Sequence, residues 1–143
     1  MNPLHNPDEA QKQTILVVDD NAADRRLMSY VLADEGYRVL EADSGEAGLS
    51  VFKQHLNEIH LIVTDIYMPG MDGVEFIQNV RRLSSSPKVI FTSGYKPRLA
   101  VESEQHLAEF IEKSPDTVRF LQKVREVLDK KGSFMNVLNM VFA

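Results

Sequence analysis

The 143-residue chain has no cysteine, which excludes a disulfide framework, a thiolate metal site and a cysteine nucleophile. It has no apolar run near the roughly 20 residues that a membrane-spanning helix needs. Its first residues, MNPLHNPDEAQKQ, lack the basic-then-apolar pattern of a secretion signal. The four histidines, His5, His55, His60 and His106, show no metal-ligand spacing and read as surface residues. Positive charge is also scarce: 16 Lys and Arg against 21 Asp and Glu leave a net charge of −5, which argues against non-specific nucleic-acid binding. A cytoplasmic protein with neither membrane nor direct nucleic-acid partners is expected. An apolar fraction of 43% and a charged fraction of 26% fit one soluble domain with a core large enough to need no staples.

Past a polar tail over 1–13, apolar runs alternate with helical periodicity. Thr14-Ile15-Leu16-Val17-Val18 is too uniformly apolar for a half-exposed strand and reads as buried on both faces. A helix is expected over 22–35 with Leu27, Met28, Val31 and Leu32 inward and Gly36 as its stop. A second strand spans 37–41. Asp43 with Glu46 resembles a capping box that opens a helix to about His55, with Ala47, Val51 and Phe52 inward. The third strand is 61–64, and a helix over 73–82 turns Val74, Ile77 and Val80 inward. The fourth strand is 88–92, a short acidic helix follows over 97–105, and the fifth strand lies near 108–112. Ser114-Pro115 reads as N-cap and first-turn pair of the last helix, which ends at Lys130-Lys131-Gly132. Five strands alternating with five helices imply an α/β fold, a parallel sheet covered on both faces.

In such sheets ligands sit beyond the carboxyl ends of the strands. The first strand ends in Asp19-Asp20, the third at Asp65 and the fourth in Thr92-Ser93-Gly94, while the fifth leads into Lys113. Three carboxylates gathered at one edge cannot all stay ionised without a cation. An oxygen-only donor set favours Mg²⁺, and Lys113 supplies a second counter-charge. An ionised Asp65 can attack phosphorus and form an acyl phosphate, with Mg²⁺ and Lys113 neutralising the transferring oxygens and the Ser93 hydroxyl hydrogen-bonding the product.

The segments ILVVDD, TDIYMPGMDG and FTSGY, with a lysine ahead of the last helix, resemble the response-regulator receiver domain over residues 14–131. That resemblance implies a flavodoxin-like sheet of order 2-1-3-4-5. It implies Asp65 as phosphoacceptor, Asp19 and Asp20 as the Mg²⁺-binding pair, and a metal contact from the Tyr67 backbone carbonyl. Ser93 matches the switch hydroxyl, Gly94 the small residue beside it, Phe110 the aromatic switch and Lys113 the family's active-site lysine. The implied partner is a histidine kinase or histidine phosphotransfer protein. A homodimer or an output domain would use the face made by the 97–105 helix, the fifth strand and the last helix, or the apolar extension 132–143.

The chain departs from the family in having Lys113-Ser114-Pro115 where Lys-Pro with a cis bond is usual. A trans bond is expected here, because cis before a non-proline costs about 2.5–4 kcal/mol. His106-Leu107 replaces the usual Gly-Ala, which points to an irregular helix before the fifth strand. Tyr67 and Tyr95 flank the site and are expected to shield an acyl phosphate from water. Taken singly, Asp19-Asp20 would be an N-cap, Ser93-Gly94-Tyr95 a turn and Lys113 a surface charge; their joint placement at strand ends reverses each reading. Three rivals are weighed. A Mg²⁺-dependent phosphatase of the haloacid-dehalogenase type needs an acid where Tyr67 stands. A flavodoxin-like cofactor binder needs a phosphate cradle where Asp19-Asp20-Asn21 stands. A degenerate, phosphorylation-independent receiver conflicts with the intact acidic set. The apolar end, SFMNVLNMVFA, reads as a self-association segment or the stub of a longer chain.

Overall fold

The structure, a computed structural model, describes residues 13–94 and 109–130. In chain order these form β1 (Thr14–Val18), α1 (Ala22–Asp34), β2 (Arg38–Ala42), α2 (Gly45–Gln54), β3 (Leu61–Asp65), α3 (Gly73–Leu83), β4 (Lys88–Ser93), β5 (Glu109–Glu112) and α4 (Thr117–Asp129). The strands make one sheet, ordered β2-β1-β3-β4-β5, with every neighbouring pair parallel. Four helices stand among the described residues rather than five. The helix expected over 97–105, with His106-Leu107 after it, lies outside them, as do residues 1–12 and the extension 132–143.

The two-residue period of a strand divides the core. Ile15 and Val17 of β1, Leu61 and Val63 of β3 and Ile90 of β4 pack with Leu32 of α1 and Phe120, Val124 and Val127 of α4. Leu16, Val18, Ile62, Val89 and Phe91 face the other way, against Phe52 of α2 and Phe76, Ile77 and Val80 of α3. Both faces of the inner strands are therefore covered, which is why β1 and β3 show continuous apolar runs instead of alternation. The chain leaves β1 for β2 on one side and returns to β3 on the other, so the carboxyl ends of β1 and β3 adjoin where strand order reverses.

Three local expectations change. Ser44, not Asp43, caps α2 by accepting the Ala47 N–H at 3.0 Å, and Glu46 turns away from any capping box to accept the Met71 N–H at 3.1 Å. Asp116 caps α4, accepting the Arg119 N–H at 3.0 Å, while Ser114 Oγ accepts the Asp116 N–H at 3.1 Å and shapes the approach. Leu27 faces out, with 46% of its surface exposed. The Lys113–Ser114 bond is trans, no cis peptide being present among the described residues.

Phe76, fully buried in α3, was not among the residues expected to face inward. Phe76→Ala is expected to lower the unfolding free energy by about 3–5 kcal/mol, read from urea denaturation. A loss below about 1 kcal/mol would contradict this placement of the core.

Candidate functional site

At the carboxyl edge of the sheet the loops are held by backbone bonds before any side chain is considered. The Asp19 N–H donates to the Ala42 carbonyl at 3.1 Å, tying the end of β1 to β2. The Ile66 N–H donates to Thr92 O at 3.0 Å, and the Lys113 N–H to Ser93 O at 2.7 Å. Arg25 of α1 donates from Nη1 to the Asp19 carbonyl at 2.8 Å and pairs through Nε with Glu41 at 3.4 Å. Asp19 is thereby fixed from two neighbouring elements.

The side chains then converge. Asp19 is fully buried and Asp65 nearly so, while Asp20 is exposed. The ligand oxygens of these three all lie within 4.8 Å of one another. Lys113 Nζ stands 2.9 Å from Asp19 Oδ2, 3.0 Å from Asp24 Oδ2 and 3.1 Å from Asp65 Oδ2. Burial pulls the ammonium's pKa down, but hydrogen bonds to Asp19, Asp24 and Asp65 and the charge of Asp19 outweigh it and hold Lys113 protonated well above its ordinary range. Burial pushes the Asp19 carboxyl up from its ordinary 3.8, against the opposing pull of Lys113 and the Asn21 N–H. One lysine therefore leaves the buried acid under-compensated. An oxygen-only cluster still short of positive charge is a fitting site for Mg²⁺, with Asp19, Asp20 and Asp65 as the side chains able to hold it.

The other predicted residues take graded places. The Tyr67 N–H points to Asp65 Oδ1 at a long 3.4 Å, and the half-buried Tyr67 ring packs on the α2/α3 side of the core. Ser93 is buried at the end of β4 and joined to Lys113 through its carbonyl. Gly94 is exposed, and among the described residues no atom lies within 4 Å of where a Cβ would stand. Phe110 is half-buried against the α2/α3 core cluster. Tyr95 lies outside the described residues.

Sequence reasoning missed four contributors. Asp24 supplies a third carboxylate to Lys113, and Arg25 braces Asp19. Glu46 reaches from α2 to hold the loop after β3 at Met71. Asp72 is the N-cap of α3, and Gly73, expected as that helix's first residue, has a packing role that its place in the sequence did not show. A Cβ at Gly73 would meet the Asp65 carbonyl oxygen at 2.0 Å, so only glycine lets α3 start this close to the strand end.

Two tests follow from this geometry. Gly73→Ala is expected to weaken Mg²⁺ binding about tenfold or more by calorimetry, because the end of β3 must shift; unchanged affinity would contradict the packing. The second concerns Asp19, whose folded-state pKa is raised. Its stabilising contribution is complete below 3.8 and is lost as pH rises through the raised value. In the metal-free protein the ionised form of Asp19 is therefore the less favourable one. Asp19→Asn is expected to raise the metal-free melting temperature at pH 7 by a few degrees, the gain shrinking as pH falls. A lowered melting temperature at pH 7 would contradict it.

The chain matches the response regulator receiver domain family over residues 15–125. It is 42% identical over 84 residues to the probable transcriptional regulator ycf27 of Porphyridium aerugineum, a match covering 58% of this chain and 34% of that protein. It is 31% identical over 114 residues to the autoinducer 1 sensor kinase/phosphatase LuxN of Vibrio harveyi, covering 80% of this chain and 13% of the relative. The chain thus spans about a third or less of the length of these curated relatives. Among solved structures, the response regulator TrrA of Thermotoga maritima, in complex with Mg²⁺ and BeF, superimposes with a TM-score of 0.72 at 30% identity, over 80% of this chain and 98% of that one. With the parallel sheet, its strand order and the acidic strand ends already in place, the chain belongs to the response regulator receiver domain family.

Proposed function

We propose that the chain accepts a phosphoryl group on Asp65 from a histidine kinase or histidine phosphotransfer protein and changes conformation in response. The observation that carries this reading is Asp65 Oδ2 at 3.1 Å from Lys113 Nζ, within a carboxylate cluster suited to a divalent cation. An Asp65 carboxylate oxygen attacks phosphorus, the P–N bond to the donor histidine breaks, and its electron pair leaves with the imidazole. The product is an acyl phosphate. Asp19, Asp20, Asp65 and the Tyr67 carbonyl would hold Mg²⁺, which when bound supplies positive charge opposite the transferring phosphoryl oxygens. Lys113 would provide the remaining positive charge, and Ser93, at the end of the neighbouring strand, is the hydroxyl assigned to bind the phosphoryl group.

The signal would then run from Ser93 to Phe110, which sits one strand over in register with Phe91 of β4. Phe110 belongs to the face through which a homodimer or output domain is proposed to read the switch. Residues 14–131 form the receiver, 1–13 a tail and 132–143 an apolar extension in this reading, and the setting is cytoplasmic. Tyr67 and Tyr95 are assigned the shielding of the acyl phosphate. The curated relatives include a probable transcriptional regulator and a sensor kinase/phosphatase, which favours a module serving different outputs.

Incubation of the protein with Mg²⁺ and acetyl phosphate, followed by intact mass, tests the proposal. One added phosphoryl group is expected, absent in Asp65→Asn and absent without Mg²⁺. An adduct that persists in Asp65→Asn would place the acceptor elsewhere, and no adduct on the folded, Mg²⁺-binding protein would favour a degenerate receiver.

A further inference from the structure

Lys113 has three N–H donors, and three carboxylates surround them: Asp19 at 2.9 Å, Asp24 at 3.0 Å and Asp65 at 3.1 Å. Two of these acids belong to the oxygen cluster that fits a cation; Asp24 does not. Asp24 stands in the first turn of α1, its N–H donating to the Asn21 cap at 3.0 Å and its side chain 43% exposed. The adjacent Arg25 is directed to the Asp19 carbonyl and Glu41, so the cation that Asp24 meets is Lys113. The ammonium donates hydrogen bonds to Asp24 and Asp65 and faces Asp19 at ion-pair distance, so an incoming phosphoryl oxygen must compete with carboxylates already around it.

We propose that Asp24 is a positioning residue that restrains phosphorylation: it holds one Lys113 donor away from the reaction, and phosphoryl transfer requires that contact to be given up. The inference rests on Asp65 being the phosphoacceptor. When the acids of the cluster share their charge with a cation, their hold on Lys113 weakens, and the undivided charge of Asp24 becomes the stronger competitor. A phosphoryl group on Asp65 would bring further negative charge to the same ammonium, and Asp24 would repel it. Both effects act in one direction. The partial exposure of Asp24 limits their size and makes them sensitive to salt.

The test uses the full chain as wild type, Asp24→Asn, Asp24→Glu, Lys113→Ala and the Asp24→Asn/Lys113→Ala double variant. The rate of phosphorylation by acetyl phosphate is followed by intact mass, and affinity for Mg²⁺ alone by calorimetry. Asp24→Asn, close to isosteric at a half-exposed site, is expected to raise the rate about threefold or more, while Asp24→Glu stays near wild type. The gain is expected to vanish in the Lys113→Ala background, and Mg²⁺ affinity is not expected to rise. A rate for Asp24→Asn at or below wild type overturns the inference while leaving the receiver chemistry intact. So does a gain that survives loss of Lys113, or one matched by tighter Mg²⁺ binding. A wild-type protein that takes no phosphoryl group overturns that chemistry and this inference together.

Discussion

A single ammonium among buried carboxylates is the interaction on which the rest of this structure depends. Asp19 and Asp65 end two adjacent inner strands where the protein excludes water, and charge in such a place is unfavourable unless it is answered. Lys113 answers it from the end of β5, two strands away from β3 in the sheet. The compensation is partial, since burial still raises the Asp19 carboxyl. That residual deficit favours uptake of a cation at the site. A fully neutralised cluster would have no reason to take up a cation, and an uncompensated one would oppose folding.

Much of the surrounding structure holds that balance in place. Glycine at 73 lets α3 begin in contact with the Asp65 carbonyl, and Glu46 steadies the intervening loop from α2. Arg25 grips the Asp19 backbone while pairing with Glu41 at the end of β2. The Lys113 N–H donates to the Ser93 carbonyl, which ties the backbone of the lysine to that of the residue assigned to the switch. These are backbone or charge-assisted contacts, which fix position more strictly than apolar packing does.

What could be read in the sequence was whatever obeys a short-range rule. Apolar β-branched runs gave away β1, β3 and β4, and the acids and the lysine terminating those strands and β5 could be gathered once a parallel sheet was inferred. Helix starts were less legible, because Asp43 and Ser44, or Ser114 and Asp116, are all competent caps and only the backbone path chooses between them. Leu27 fits the inward stripe of α1 by spacing yet lies exposed. Asp24 was hidden for a different reason. An acid in the first turn of a helix is already accounted for by the helix dipole, and its contact with Lys113 spans 89 residues. Glu46 was similarly misassigned to its own helix because its true partner, Met71, is 25 residues away.

The central claim is that Lys113 and a divalent cation serve the same carboxylates. Measuring Mg²⁺ affinity by calorimetry for Lys113→Ala beside wild type tests it most directly. The account predicts tighter binding in the variant, since removing the resident ammonium leaves Asp19 and Asp65 with less compensation and more to gain from the metal. Equal or weaker binding in a folded Lys113→Ala protein would contradict it.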